Sequence, residues 1–208
     1  MSKFTAGTRL SRELQLPMPS KATPVDAFRL ARRRWLAGER IDIGALAVEL
    51  KVSRATLFRW VGSRELLLAE ILWSLCDPTL QRADSGLRLR GAARIARVCE
   101  RVIRAILDFA PLRRFIAQDP EYALRLLTSK ASPVQARTIA ALRGWLATEV
   151  EHGELELPIA IETMAYLIVR LGESFIYAET ISGQTVKVAD AAVAIELLLS
   201  GKVGRTRA

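Results

Sequence analysis

Between residues 41 and 67 the sequence reads IDIGALAVELKVSRATLFRWVGSRELL, and its second half gathers hydrogen-bond donors: Ser53, Arg54, Thr56, Arg59 and Arg64, with Ala55, Phe58 and Trp60 among them. Guanidinium forks suit planar or anionic acceptors such as phosphate and the edge of guanine, and hydroxyls near a helix start suit phosphate oxygens. Other chemistry is poorly served. The single histidine, His152, sits beside Gly153 at a helix end, the two cysteines have no metal-ligand spacing to it, and no Gly-rich phosphate loop occurs. Neither catalysis nor a metal or cofactor site is expected. Cys76 and Cys99 read as reduced, buried thiols.

The donors need elements to present them. Asp42 can cap a short helix over 43–50 whose Leu46, Ala47 and Leu50 point inward. Val52 plugs the turn, and Ser53 stands where an N-cap belongs, so a second short helix follows over 54–61. Leu57 and Val61, four apart, turn its apolar face back on the first helix. That spreads Arg54, Ala55, Thr56, Phe58, Arg59 and Trp60 over the exposed remainder, a poor face for solvent and a good one for a major groove. Two short helices across a tight turn make helix-turn-helix geometry. Arg54, in the first turn of the second helix, is best placed to reach a guanine edge. Ser53 and Thr56 would position the backbone, and Arg64 adds charge at the next helix N-terminus, which already favours phosphate. For each arginine a solvated surface charge is the alternative.

Charge distribution agrees with an acidic partner. The 208 residues carry a net charge of +9, and residues 1–70 hold 13 Lys/Arg against 7 Asp/Glu. Nucleic acid is preferred over an anionic membrane surface. Residues 1–22, with Pro17, Pro19, Lys3, Arg9 and Arg12, read as a mobile basic arm. The start lacks a signal-peptide core, and no apolar run is long enough to span a bilayer, so a cytoplasmic protein without membrane contact is expected.

The chain reads as all-α. Thr23 caps a helix from Pro24 to about Ala37, and a fourth helix opens at Ser63 and ends before Pro78, leaving a polar connection over 79–90. Helices are expected near 91–109, 111–117, 120–129, 133–151, 159–180 and 187–201, with Pro111, Pro120, Pro133 and Pro158 at starts. This divides the chain into the arm (1–22), a DNA-binding head (23–68, its linking helix running to about 77), a helical body (79–201) and a tail (202–208).

LAVELKVSRATLFRWVGSRELLLAEIL resembles the DNA-binding core of the TetR family of bacterial regulators. Lys51, Val52 and Ser53 fall where that family has a Gly-Val-Ser turn. Leu57 to Val61 fall on its Leu-Tyr-x-His-Phe, and Gly62 to Leu66 on the opening of its next helix. Lys51 replaces the turn glycine, Phe58 a phosphate-bonding tyrosine, Trp60 a histidine, and Asp42 stands near a common phosphate-binding threonine. DPEYALRLLTS (119–129) and RLGESFIYAET (170–180) are similar to the QsdR-like subgroup. The resemblance implies a homodimeric repressor on a pseudo-palindromic operator, released by a small, largely apolar effector, with a lactone linked to acyl-homoserine-lactone breakdown as the subgroup's effector class.

Roughly 120 residues beyond the head must house something else. The runs over 159–180 and 187–201 are apolar on more than one face, which fits a dimer seam or helices interior to one protomer. Arg170, Glu173 and Tyr177 share a helix face and read either as an ion-pair cluster or as a ligand-orienting one. Trp73, Phe109, Phe115, Tyr122, Trp145, Met164 and Phe175 are candidate walls of an effector pocket. Two rivals stand beside this reading. A MerR-like regulator would need a β-wing after Trp60, and a helical small-ligand carrier would have lost DNA binding.

Overall fold

Four consecutive helix starts are fixed by side chains that take up orphan backbone N–H groups. The protein is described by a computed structural model covering residues 22–129 and 133–201; the basic arm up to residue 21 and the tail from 202 lie outside the described residues. Thr23 opens α1 (Pro24–Leu36) reciprocally: its hydroxyl accepts from the Asp26 N–H at 3.2 Å while its own N–H donates to Asp26 Oδ2 at 2.9 Å. Asp42 accepts from the Ala45 N–H at 2.7 Å to start α2 (Ile43–Glu49). Ser53 accepts from the Thr56 N–H at 3.0 Å to start α3 (Arg54–Val61), and Ser63 from the Leu66 N–H at 3.1 Å to start α4 (Arg64–Asp84). Ala27, Leu30, Trp35, Leu46, Leu57 and Leu68 meet in one buried core beneath these helices.

The turn between α2 and α3 closes as a Schellman motif: the Val52 N–H reaches the Ala47 carbonyl at 3.0 Å and the Lys51 N–H that of Val48 at 3.1 Å. Lys51 occupies the left-handed position with φ of 54°, where a side chain crowds the following carbonyl and glycine does not. Lys51→Gly is therefore expected to stabilise the protein by about 0.5–1 kcal/mol after allowing for glycine's freer unfolded chain. Thermal unfolding checks it as a rise of about 1–4 °C.

Three expectations about the elements are corrected. The linking helix does not stop before Pro78; α4 runs through it to Asp84. The proline removes the N–H that would bond the Ser74 carbonyl, a cost of about 3 kcal/mol, offset by burial of Leu80 and Ala83 beyond it. The irregular connection shrinks to residues 85–90. The 159–180 helix is two pieces, α9 (Ile161–Ile176) and the short α10 (Ala178–Ser182), because the chain leaves helical geometry at Tyr177.

The rest of the body is α5 (Gly91–Asp108), α6 (Ala110–Gln118), α7 (Pro120–Thr128), α8 (Pro133–Glu151) and α11 (Val188–Ser200). No strand occurs among the described residues, so the fold is all-α. α11 lies along α5, α9 along α8, and α4 touches both α5 and α8. Ile95, Leu142, Leu146, Met164, Ile168 and Ile195 form a second core inside this bundle. Cys76 and Cys99 are free thiols; burial pushes them up to about 11 and about 12, so both stay protonated.

An ion-pair network pins the far end of the body. Arg94 bridges Asp84 at the end of α4 and Glu149 on α8, the latter at 2.6 Å, while the Glu149 carboxylate also accepts from the Gly91 N–H at the start of α5. Gly91 has φ of +56°, and a Cβ there would stand 2.3 Å from the Glu154 carbonyl oxygen. Only glycine lets α5 begin so close to the loop after α8.

Candidate functional site

Along α3 the side chains sort into two stripes. Leu57 is fully buried, and half-buried Val61 and Trp60 pack beside it on the head core, which seats the helix. Arg54, Ala55, Phe58 and Arg59 point outward together. This corrects the placement of Trp60, which was expected on the exposed remainder: three residues beyond Leu57, its indole covers the core. Thr56 is half-buried, its hydroxyl 2.9 Å from that of Ser53, and Arg59 Nη2 donates to it at 3.4 Å. The Ala45 N–H holds the Asp42 carboxyl below its usual range, with Arg54 and Arg64 adding their fields in the same direction.

Arg64 is turned away from that outward stripe. Its guanidinium lies over the Tyr122 ring of α7, 5.3 Å from the centroid, and its Nε is buried without a hydrogen bond. The negative face of the ring compensates the charge. In the basic run of α1, Arg34 pairs with Glu39 and Glu49, and Arg32 bonds Ser74, which leaves Arg33 exposed.

A partly open cavity of about 270 Å³ lies in the body between α4, α5, α8 and α9. Leu72, Leu75, Ile106, Phe109, Leu112 and Leu127 give it apolar walls, and polar groups collect around Gln135, Thr138, Glu173, Tyr177 and Cys76, with Arg82 and Thr79 farther along α4. Glu173 Oε1 accepts from Gln135 Nε2 at 3.4 Å, and Arg170 Nη1 stands 2.6 Å from Oε2 without hydrogen-bond geometry. Burial raises the Glu173 carboxyl, an effect the nearby Arg170 counters. Burial also raises the Tyr177 phenol, reinforced by Glu173, so its hydroxyl is available to donate. An apolar chamber with a small convergent polar wall is the architecture of a small-ligand site.

Above the cavity an aromatic chain crosses to the head. Phe109 meets Trp35 of α1 at 6.4 Å between centroids, Trp35 meets Phe115 edge-on at 5.9 Å, and Phe115 meets Tyr122 at 6.1 Å.

Residues 90–200 match the model of the tetracyclin repressor-like C-terminal domain, more than half of the chain. The chain belongs to the TetR family. Its structure is similar to that of the transcriptional repressor QsdR from R. erythropolis, a TetR family protein, with a TM-score of 0.79 and 26% identity over 91% of this chain and 100% of that one. The TetR family regulator PfmR from Thermus thermophilus is 18% identical over 85% of this chain and 96% of its own, with a TM-score of 0.43. Comparison with curated proteins gives no match.

As a TetR family member the protein is a DNA-binding transcriptional regulator and not an enzyme. The MerR-like alternative fails on the direct passage from α3 into α4, which leaves no wing after Trp60. No helix among the described residues is long and apolar enough to cross a membrane.

Of the expected pocket walls, Phe109, Glu173 and Tyr177 line this cavity and the others do not. Phe115 and Tyr122 belong to the cleft between head and body, and Met164 is buried in the second core. Trp145 packs against that second core and lines a smaller pocket under α5 and α9. Trp73 takes the Arg137 guanidinium on its ring at 5.6 Å. Arg170 reaches the cavity only through Glu173, and Phe175 does not line it. Sequence reading weighted aromatics and missed the α4 stripe of Leu72, Leu75, Cys76 and Thr79. The spacing of three and four residues was its available signal.

Proposed function

We propose that the protein is a homodimeric repressor whose α3 helices read the two halves of a pseudo-palindromic operator, and that a small, largely apolar effector in the α4–α5–α8–α9 cavity releases it. One observation carries this reading: the cavity walls Leu72, Leu127, Val134 and Tyr177 belong to the same continuous core as Leu57, the residue that seats α3. A packed core moves in discrete rearrangements, so a ligand that repacks one end shifts the other. The aromatic chain from Phe109 to Tyr122 and the Arg64 cation on it offer a second tie between body and head.

Ser53, Arg54, Ala55, Thr56, Phe58 and Arg59 make the DNA-facing surface, with Arg54 on a guanine edge and Ser53 and Thr56 on the backbone. Trp60 and Arg64 support it from behind. The likeness to QsdR, itself a transcriptional repressor, favours repression. A lactone, including an acyl-homoserine lactone, suits the cavity because its acyl body fits apolar walls and its carbonyl accepts from Tyr177.

For the dimer seam, α9 and α11 expose Tyr166 (48%) and Leu167, and Val193 and Leu197 (65%). Each pair offers apolar area to a partner. Leu197→Glu is expected to give a monomer in sedimentation velocity and to lower operator affinity at least tenfold.

The test is titration of a protein–operator complex with γ-lactones and acyl-homoserine lactones. Release by at least one of them at micromolar concentration supports the reading; retention of DNA with saturating bound ligand contradicts it. Ala105 lines the cavity from an exposed part of α5. Ala105→Phe is expected to keep DNA binding and lose the ligand response, read as complex retained at effector concentrations that free the parent protein.

A further inference from the structure

Phe58 is an apolar ring in the middle of a polar face. It is 41% exposed, and on the helical wheel it falls between Arg54 and Ala55 in the outward stripe, about a quarter-turn from the buried Leu57. The residues that seat α3 on the head core are Leu57, Val61 and Trp60, and Phe58 is not among them. A phenyl ring has no hydrogen bond to offer a phosphate. In a major groove the apolar features open to such a ring are the C5 methyl groups of thymine.

Its neighbours fix where that methyl must lie. Four residues of helix span about 6 Å, close to two base-pair steps of about 3.4 Å. Arg54 and Phe58 therefore address positions within about two base pairs of each other, and exposed Ala55 adds a second small apolar contact beside the ring. We propose that Phe58 is a specificity determinant of the regulator: its ring lies against the C5 methyl of one thymine in each half-site, within two base pairs of the base that Arg54 contacts. The inference rests on the DNA-reading surface proposed above.

The test uses the full chain. A random duplex library is first selected on the protein, and each thymine of the enriched sequence is then replaced singly by deoxyuridine, which removes only the methyl group. One position per half-site is expected to lose about fourfold in affinity, the equivalent of one methyl-sized apolar group returned to water. Phe58→Ala, which removes the ring from both half-sites of the dimer, should bind the thymine duplex more weakly by about that factor squared, about sixteenfold, and be indifferent to deoxyuridine there, while Phe58→Tyr keeps the dependence. Unchanged thermal unfolding of both variants shows that the fold is not the cause. A parent protein indifferent to deoxyuridine at every position overturns the proposal, as does a Phe58→Ala variant that retains the penalty. In both cases the enriched sequence still stands as evidence of DNA reading. Failure to enrich any sequence overturns the reading surface itself and the proposal with it.

Discussion

Arg54→Ala sharply reduces discrimination between the operator and a scrambled duplex while leaving the thermal midpoint unchanged. The side chain is exposed in the first turn of α3, and its helix is held by Leu57, Val61 and Trp60 rather than by the guanidinium. A bidentate arginine on guanine accounts for about 1–3 kcal/mol of discrimination per site, and a symmetric dimer makes the contact twice. Fluorescence anisotropy on both duplexes should show the variant's specific affinity falling by that amount per half-site toward the non-specific value. Residual binding to any duplex persists, because Lys51, Arg59 and Arg33 still supply exposed charge.

The largest effect on stability is expected at Glu149. The residue is 4% exposed, and its carboxylate takes Arg94 at 2.6 Å and also accepts from the Gly91 N–H. Removing it leaves the arginine, whose side chain is 14% exposed, with Asp84 as its remaining ion-pair partner and strands a backbone donor at the start of α5. Breaking a buried pair from one side costs about 3–5 kcal/mol, so Glu149→Ala should lower the denaturation midpoint by roughly 6–20 °C. Glu149→Gln, which keeps an acceptor for the N–H, should lose less. An unfolding midpoint for Glu149→Ala within 2 °C of the parent would mean that the network does not pin α4, α5 and α8 together.

The head was legible because its determinants are local. Thr23, Asp42, Ser53 and Ser63 each accept from a backbone N–H three residues on, and capping of that kind depends on neighbouring residues alone. The unusual turn at Lys51 was legible through the resemblance, because a lysine stands where the family has its turn glycine, and Lys51 takes the left-handed φ of 54° there. Pro78 misled because its local rule, helix termination, is overridden by tertiary burial of Leu80 and Ala83. The body was harder still. Which large apolar residue faces the cavity depends on how α4 to α9 pack, and Met164 and Phe109 both read as candidate walls in sequence although one is core and the other wall. Arg64 shows the same limit: its position at a helix N-terminus pointed to phosphate, but Tyr122, 58 residues away, provides the ring it rests on.

The central claim, that the outward stripe of α3 reads DNA, is tested most directly by affinity for a library-selected duplex and its scrambled counterpart across a salt series. The account predicts at least a thousandfold preference for the selected duplex, with affinity for both falling steeply as salt rises, at a log–log slope set by the phosphates contacted. Equal, weak and salt-insensitive binding to the two duplexes would contradict it.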